Sequence, residues 1–190
     1  TNTPAYGQDN AGTPVGNHFW LRRPLPANAN LRIEFGFPYS TNRNGRSPTH
    51  HGVDITNRRG TPVLAAADGT VYFAGDDSAQ AFGERPAFYG NLVILAHDFD
   101  APEGGKVFTL YGHLNTVTVT AGTRVAAGDP IGTVGATGIA IGSHLHFEVR
   151  IGNPDDYFAV RNPELWLAPL AGTGTLIGRV LNADGSLAGN

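Results

Sequence analysis

The stretch GSHLHFEVRI, residues 142–151, alternates polar and apolar side chains. Successive side chains of a β-strand point to opposite faces, so every second residue shares one side of the strand. The polar side carries His144, His146, Glu148 and Arg150, and the apolar side carries Leu145, Phe147, Val149 and Ile151. The stretch therefore predicts a strand that packs its apolar face on a core and presents two histidines on its other face.

Short strands and tight turns are expected along most of the remaining chain. Its 190 residues include 26 Gly and 13 Pro, and 41% are hydrophobic, which suits one domain with a substantial core. Gly and Pro interrupt helices and favour turns. We therefore predict an all-β fold, an antiparallel twisted sheet or β-sandwich. Its groove is expected to be walled by loops near 37–49, 76–90, 98–106 and 136–143.

Charge and cysteine content exclude several classes of function. The net charge of −3 provides no basic surface for nucleic acid or for an anionic membrane. The absence of cysteine excludes disulfides, Cys-zinc sites and thiol catalysis. No stretch of about 18 apolar residues is present, so no membrane-spanning helix is expected. Because the chain begins at Thr1 and contains no methionine, we expect a processed piece whose targeting signal lay upstream.

Three parts are expected along the chain. Residues 1–30 are rich in Asn, Pro and Gly and predict an irregular arm, which residues 19–21 anchor. The main domain is assigned to residues 31–170. Residues 171–190 predict a linker followed by one strand and a turn, the beginning of a further β module.

Apolar alternation and turn residues locate the strands of the main domain. A strand is predicted at 31–35, and two strands flank the turn APEGG at 91–99 and 106–115. Residues 61–75 predict a hairpin, because the Asp68-Gly69 pair is typical of a tight hairpin turn.

Two further segments place histidines beside turns. HHGVD, residues 50–54, offers two imidazoles and a carboxylate, and its Gly52 allows the backbone to bend. TLYGHLN, residues 109–115, places Tyr111 and His113 on one face of a predicted strand. Zinc binds imidazole nitrogen and carboxylate oxygen, and its catalytic sites use three protein ligands plus water. Together with HLH, these segments predict a metal site built from histidine and aspartate.

The sequence resembles the M23 family of zinc metallopeptidases, also called lysostaphin-like or LytM-type, over residues 33–150. The likeness rests on HHGVD at 50–54, YGHL at 111–114 and HLHFEVR at 144–150, in this order and spacing. The resemblance implies a lysostaphin-like fold of the duplicated-hybrid-motif type and one zinc ion per chain. It also implies hydrolysis of bacterial peptidoglycan peptides, in a cross-bridge or a stem, by a secreted or envelope-associated enzyme. A monomer is expected.

The resemblance also assigns roles to five residues. It implies His50, Asp54 and His146 as zinc ligands, with His113 and His144 as the catalytic pair beside the metal. His51 competes with His50 as a ligand, but the family spacing to Asp54 favours His50. No HExxH helix supplies a glutamate base, so a histidine must take the proton of the water. Either His113 or His144 can fill that role.

Three more residues are candidates for binding the substrate or stabilising the transition state, namely Tyr39, Tyr111 and Asn91. Family members often carry F-G-x-R before the first ligand, where this chain has Phe35-Gly36-Phe37-Pro38. Tyr39 is the tyrosine nearest to the first ligand. Glu148 and Arg150 either orient a ligand or form a solvated pair.

Two other functions are compatible with parts of the sequence. A non-catalytic relative of the same fold would bind cell-wall material or activate an amidase. Such relatives usually lack one or more metal ligands, whereas all five positions are present here, and metal analysis distinguishes the two. Residues 123–136 also resemble half of a biotinyl or lipoyl carrier, but a carrier needs a lysine at a hairpin tip. The only lysine, Lys106, lies outside that segment.

Overall fold

The computed structural model describes residues 7–8, 14–15, 19–175 and 182–185, and almost all regular structure within them is β-structure. β1 (Gly7–Gln8) and β2 (Pro14–Val15) form a two-stranded sheet. The other nine strands form one antiparallel sheet: β3 (Val53–Thr56), β4 (Pro62–Leu64), β5 (Gly69–Asp76), β6 (Asn91–Asp100), β7 (Lys106–Val117), β8 (Arg124–Val125), β9 (Pro130–Val134), β10 (His144–Ile151) and β11 (Val160–Arg161). One 3₁₀ turn spans Pro163–Leu165. The predicted all-β antiparallel fold is confirmed.

The order of the strands places β10 between the segments that carry the other histidines. Along the sheet the order is β11-β10-β7-β6-β5-β8. β3 pairs with the first half of β10 and β11 with its second half, while β7 runs along the opposite edge of β10. His146 therefore lies opposite Asp54 of β3 on one side and opposite Gly112 of β7 on the other. The sheet register thus brings together three stretches that are distant in sequence.

Two apolar clusters cover the two faces of β10 and β7. Leu145, Phe147 and Val149 point into the larger core, as their alternation predicts. The smaller cluster, which includes Phe82, Tyr89 and Leu110, lies against the other face. Fully burying each such side chain contributes roughly 1.5–3 kcal/mol. The polar face of β10 is therefore flanked by apolar packing and is not an open surface.

Part of the predicted arm belongs to the main core. Leu21 and Leu25 are buried in the larger cluster, and Leu21 forms a parallel bridge with Leu167. The Leu21 N–H donates to the carbonyl of Trp166 at 3.0 Å. Trp20 packs edge-on against Trp166, with ring centres 5.8 Å apart. Residues 19–21 thus attach this segment to the domain, and the boundary assigned at residue 31 stays a prediction.

The hairpin predicted at 61–75 is wrong. β4 pairs with β9, and β5 pairs with β6 and β8, so the two strands beside Asp68-Gly69 do not pair with each other. Asp68 is more than a turn residue, because its carboxylate accepts a hydrogen bond from Ala127 N at 2.7 Å. At Gly69 an added Cβ would lie only 2.5 Å from the carbonyl oxygen of Ala96. The Asp-Gly pair therefore serves close packing between separate strands.

The strand predicted at 31–35 is also absent. The segment makes one backbone hydrogen bond to the sheet, from Glu34 N to Asp54 O at 2.9 Å, and then turns at residues 35–36. Leu31 and Ile33 pack against the core, while Phe35 is 83% exposed. Of the strand and turn predicted at 174–190, only residues 174–175 and the turn at 182–185 are described; the remainder lies outside the described residues. No helix in the described ranges is long and apolar enough to cross a membrane.

Candidate active site

Three side chains from β10, from β3 and from the residues before β3 meet at one point. His50, Asp54 and His146 each offer a ligand atom, and these atoms lie within 4.8 Å of one another. Asp54 Oδ1 is 3.2 Å from His50 Nε2 and 3.0 Å from His146 Nδ1, and the two imidazole nitrogens are 3.3 Å apart. The structure thus brings together the three residues for which the sequence predicts a metal.

The spacing of these atoms fits a small tetrahedral metal ion. Ligand atoms about 2.0–2.2 Å from a tetrahedral zinc ion lie roughly 3.3–3.6 Å apart. The observed separations of 3.0–3.3 Å are shorter by only a few tenths of an ångström. Two imidazoles and one carboxylate are also a typical ligand set of catalytic zinc. The residues present therefore fit the metal, with one tetrahedral position left for solvent or substrate.

Hydrogen bonds behind the two histidines fix which nitrogen of each ring faces the site. His50 Nδ1 donates to the carbonyl of Phe37 at 2.7 Å, so Nε2 faces Asp54. The Nε2 of His146 donates to Glu148 at 2.9 Å, so Nδ1 faces Asp54. Partners of this kind orient metal-binding histidines and fix their tautomers.

A buried ionic network extends this arrangement into the protein. Glu148 and Arg150 are fully buried, and Arg150 Nε donates to Glu148 Oε2 at 2.8 Å. The Tyr89 hydroxyl donates a very short hydrogen bond to Glu148 Oε1. Arg150 also donates to the carbonyls of Phe82 and Pro154 at 2.9 and 2.8 Å. Glu148 and Arg150 therefore form a buried pair that orients a candidate ligand, and the solvated alternative is excluded.

The charges of this network shift the pKa values of its members. Burial alone would raise the pKa of Glu148, but the charge of Arg150 and the hydrogen bond from His146 lower it to about 2. Burial alone would lower the pKa of His146, but hydrogen bonds to Asp54 and Glu148 raise it to about 9. For Asp54, hydrogen bonds from His146 and His50 outweigh burial and hold its pKa well below the usual range. Both carboxylates therefore stay ionised.

His113 reaches the same cavity because the backbone of β7 changes direction at this residue. Its φ is +61°, in the left-handed region that side chains with a Cβ rarely adopt. The prediction that Tyr111 and His113 share a face is wrong, because this φ breaks the alternation. Nδ1 of His113 donates to the carbonyls of Thr137 at 2.8 Å and Tyr89 at 3.2 Å. In the neutral ring, Nε2 is therefore the unprotonated nitrogen.

His144 lies beside His113 with its ring held in a similar way. The two ring centres are 4.9 Å apart. His144 Nδ1 donates to the carbonyl of Gly142 at 3.1 Å, and its Nε2 is 3.5 Å from Asp54 Oδ1. Burial lowers the pKa of both rings, to about 3 in His113, where nearby His146 and His144 add to the effect. Two neutral imidazoles are thus held next to the candidate ligands.

A cavity of about 400 Å³ opens over these five side chains, within the size range of small-molecule sites. Its walls come from the loop at 37–49, from Phe88 and Tyr89, and from residues 139–141, as the predicted groove loops suggest. Among the described residues, none from 98–106 contributes, whereas Tyr157 does. His51 is buried rather than solvent-facing: it donates to the carbonyl of Tyr157 at 2.8 Å and packs on its ring.

The three further candidates do not line this cavity. Tyr111 is fully buried in the larger core, and its hydroxyl accepts from Ala66 N at 2.8 Å, so its assignment to substrate is wrong. Asn91 braces β7 by donating to Leu114 O at 3.3 Å. Tyr39 packs half-buried against the core. Sequence reasoning missed Tyr89 and Tyr157, because each lies in a loop without periodicity and acts through a tertiary contact.

Comparison with known proteins agrees with this geometry. Residues 48–157, more than half of the chain, match the sequence model of peptidase family M23. The chain belongs to family M23. The matched range contains all six histidine and aspartate residues that line the cavity. It ends at Tyr157, the residue that holds His51.

Individual M23 proteins resemble this chain over its central part. The DD-carboxypeptidase/endopeptidase Mpg of Neisseria meningitidis is 39% identical over 115 residues, which are 60% of this chain and 23% of that protein. The murein hydrolase activator NlpD of Salmonella typhimurium is 29% identical over 150 residues, 79% of this chain and 32% of that protein. The chain thus spans less than a third of either relative.

A solved M23 structure has the same fold. The catalytic domain of the antimicrobial peptidase lysostaphin from Staphylococcus simulans superimposes with a TM-score of 0.55 at 29% identity. The match covers 70% of this chain and 89% of that domain. The predicted lysostaphin-like architecture is confirmed.

Proposed function

We propose that this chain is a zinc metalloendopeptidase that hydrolyses peptide bonds of bacterial peptidoglycan. The observation that carries the proposal is the convergence of five side chains on one cavity. His50, Asp54 and His146 present ligand atoms to a common point, and His113 and His144 lie beside them. Bound zinc would polarise the carbonyl of the cleaved bond and lower the pKa of a bound water towards about 7.

The chain's own residues would move the proton. His113 is neutral over the physiological range because its pKa is near 3, and its Nε2 carries the lone pair. A neutral imidazole in this position can accept a proton from water and return it to the leaving amine. His144 has the same tautomer and lies next to it. We assign proton transfer to this pair, with the carbonyls of Thr137 and Gly142 holding the two rings.

Peptidoglycan is the substrate that the relatives support. Mpg is named a DD-carboxypeptidase/endopeptidase, NlpD a murein hydrolase activator, and lysostaphin an antimicrobial peptidase. A cavity of about 400 Å³ has room for a peptide segment but not for a folded protein. We therefore expect the chain to act in the cell envelope as an exported monomer on a cross-bridge or a stem peptide.

Activation of another wall enzyme is the alternative function, because the NlpD relative is named an activator. An activator needs a binding surface but no ordered acid and base. Here each of the four histidines has its tautomer fixed by a further partner. Proton transfer beside a metal requires histidines ordered in this way, which supports the peptidase over the activator.

The test compares zinc-loaded wild type with three variants on purified cell walls, and measures released fragments and bound metal by mass spectrometry. Wild type is expected to hold one zinc per chain and to release peptides. His113→Ala and His144→Ala should each keep the metal and lose about 10²–10⁴-fold in rate, whereas His146→Ala should lose the metal. Wild type that holds zinc and releases nothing would contradict the peptidase. Stimulation of an amidase by that protein would favour the activator.

A further inference from the structure

One arginine lies at the cavity without a carboxylate partner. Arg43 is the only Arg or Lys among the described residues that line the cavity. Its side chain is exposed, and within the described part of the chain no ion pair or side-chain hydrogen bond engages its guanidinium. An exposed arginine outside the cavity, Arg161, is by contrast paired with Glu103 at 3.1 Å. Arg43 is thus a positive charge available to a ligand in this cavity.

Arg43 is stacked in line with the first candidate ligand. Its guanidinium carbon lies 4.2 Å above the centre of the Phe37 ring. Phe37 in turn stacks on the His50 ring, with centres 4.3 Å apart and planes 7° from parallel. A guanidinium on an aromatic face is attracted to the ring while its N–H groups stay available at the edges. The stack therefore holds the Arg43 guanidinium in place and leaves its N–H groups free to bind a ligand.

The loop that carries Arg43 is fixed to the site by backbone hydrogen bonds. Ser40 N donates to His50 O at 2.8 Å, and His50 N donates to Thr41 O at 2.9 Å. Within the loop, Ser47 N donates to Asn42 O at 3.1 Å. Arg43 itself has a φ of +51°, a backbone conformation that costs free energy in any residue with a Cβ. The loop thus holds a strained arginine at a set distance from the ligands.

That distance is short on the scale of a peptide. Placed end to end, the two spacings of 4.2 and 4.3 Å set an upper limit of about 8.5 Å between the Arg43 guanidinium carbon and the His50 ring centre. An extended peptide spans about 3.3–3.6 Å per residue. The distance from the Arg43 guanidinium to the His50 ring is therefore at most about two to three residues of extended peptide.

We propose that Arg43 binds a carboxylate of the peptide substrate within about three residues of the cleaved bond, so that the site selects carboxylate-bearing wall peptides over neutral chains. This inference rests on the proposed peptidase function. The planar guanidinium matches a carboxylate with two parallel hydrogen bonds, which a carboxamide cannot accept in the same way. Glu34, which also lines the cavity, bonds its own loop through Gly36 N at 2.9 Å and leaves Arg43 unpaired.

The test uses one D-alanyl-D-alanine peptide in two forms, with a free C-terminal carboxylate and with a C-terminal carboxamide. Zinc-loaded wild type is expected to show about 10–100-fold higher kcat/KM on the carboxylate form. Arg43→Gln should reduce that ratio to near one, chiefly through KM, and Arg43→Lys should retain part of it. Arg46→Gln is the matched control, because Arg46 is exposed on the same loop but does not line the cavity.

Binding of both peptides, followed by NMR in wild type and Arg43→Gln, separates this inference from the proposed function. Tighter binding of the carboxylate form by wild type, lost in Arg43→Gln but without cleavage by either protein, would support Arg43 and contradict the peptidase. Equal binding of the two forms, or binding of neither, would overturn the role of Arg43 even if walls are cleaved. Retention of the preference in Arg43→Gln would overturn it as well.

Discussion

Glu148→Gln removes one negative charge from the interior while keeping the shape of the side chain. Glu148 is fully buried and accepts from Arg150 Nε at 2.8 Å and from His146 Nε2 at 2.9 Å. Gln keeps one acceptor oxygen but presents an NH₂ group to a neighbour that is itself a donor. Breaking one partner from a buried ion pair costs about 3–5 kcal/mol. In a protein of this size that corresponds to a Tm lower by roughly 6–20 °C.

The same change should weaken metal binding, because Glu148 orients His146. Loss of a hydrogen-bond partner behind a metal-binding histidine typically lowers metal affinity by about 10–100-fold. Stability is measured by guanidinium chloride unfolding in the presence of a chelator. Zinc affinity is measured by competition with a chromophoric chelator, so the two effects are separated.

Glu103→Gln provides the matched control. Glu103 makes the same kind of pair, with Arg161 at 3.1 Å, but both side chains are nearly half exposed. Exposed pairs of this kind contribute about 0–1 kcal/mol, so this variant should stay close to wild type. If Glu148→Gln were as stable as Glu103→Gln and bound zinc with unchanged affinity, the buried network would have neither of the roles assigned to it.

Three further predictions concern the scaffold. Tyr111→Phe should lower the free energy of unfolding by about 1–3 kcal/mol and leave wall cleavage unchanged, because the Tyr111 hydroxyl makes hydrogen bonds only inside the core. A tenfold loss of activity would contradict the placement of Tyr111 in the core. Gly138→Ala and Gly142→Ala both force a Cβ into a left-handed φ, at about 1–2 kcal/mol each. Only at Gly138 would the Cβ lie 2.4 Å from a backbone oxygen, so the denaturation midpoint of Gly138→Ala should be lower than that of Gly142→Ala. Equal midpoints of the two variants would refute the packing argument. Burial lowers the pKa of His97 in the folded protein, so the buried ring is favoured in its neutral form. The free energy of unfolding is therefore unaffected by the titration of this histidine above about pH 6.5, and it decreases as the pH falls below that value. His97→Gln should therefore reduce the slope of the free energy of unfolding against pH below pH 6.5, by at most about 1.4 kcal/mol per pH unit. An unchanged slope would contradict this role of His97.

Local periodicity predicts which face a side chain occupies, and it succeeded where the strand is regular. In β10 the apolar residues enter the core and the polar residues share the opposite face, as the alternation requires. The pairing of β6 with β7 around residues 101–105 was likewise predictable, because both strands adjoin one short turn. These features depend only on neighbours in sequence.

Features that depend on distant partners were not predictable in this way. The left-handed φ of His113 turns its side chain into the cavity, whereas Tyr111, two residues earlier in the regular part of the strand, stays in the core. The Asp68-Gly69 pair is typical of a hairpin, but the flanking strands find better partners elsewhere in the sheet. The motifs and their resemblance to the family indicated the candidate metal ligands. The hydrogen bond from Tyr89 to Glu148, in contrast, forms only when the loop before β6 packs against β10.

The polar face of β10 explains how a buried charged site and a packed core coexist. Without a metal, charge alternates from the interior towards the cavity along Arg150, Glu148 and protonated His146, and it ends at Asp54 on the neighbouring strand. Each charge is compensated by the next, so none is left alone in a low-dielectric interior. A slip of β10 by one residue would expel its apolar face from the core and move His146 away from Asp54 at the same time. The register that buries the core is therefore also the register that brings the candidate metal ligands together, and the hydrophobic free energy of folding holds the candidate site in place.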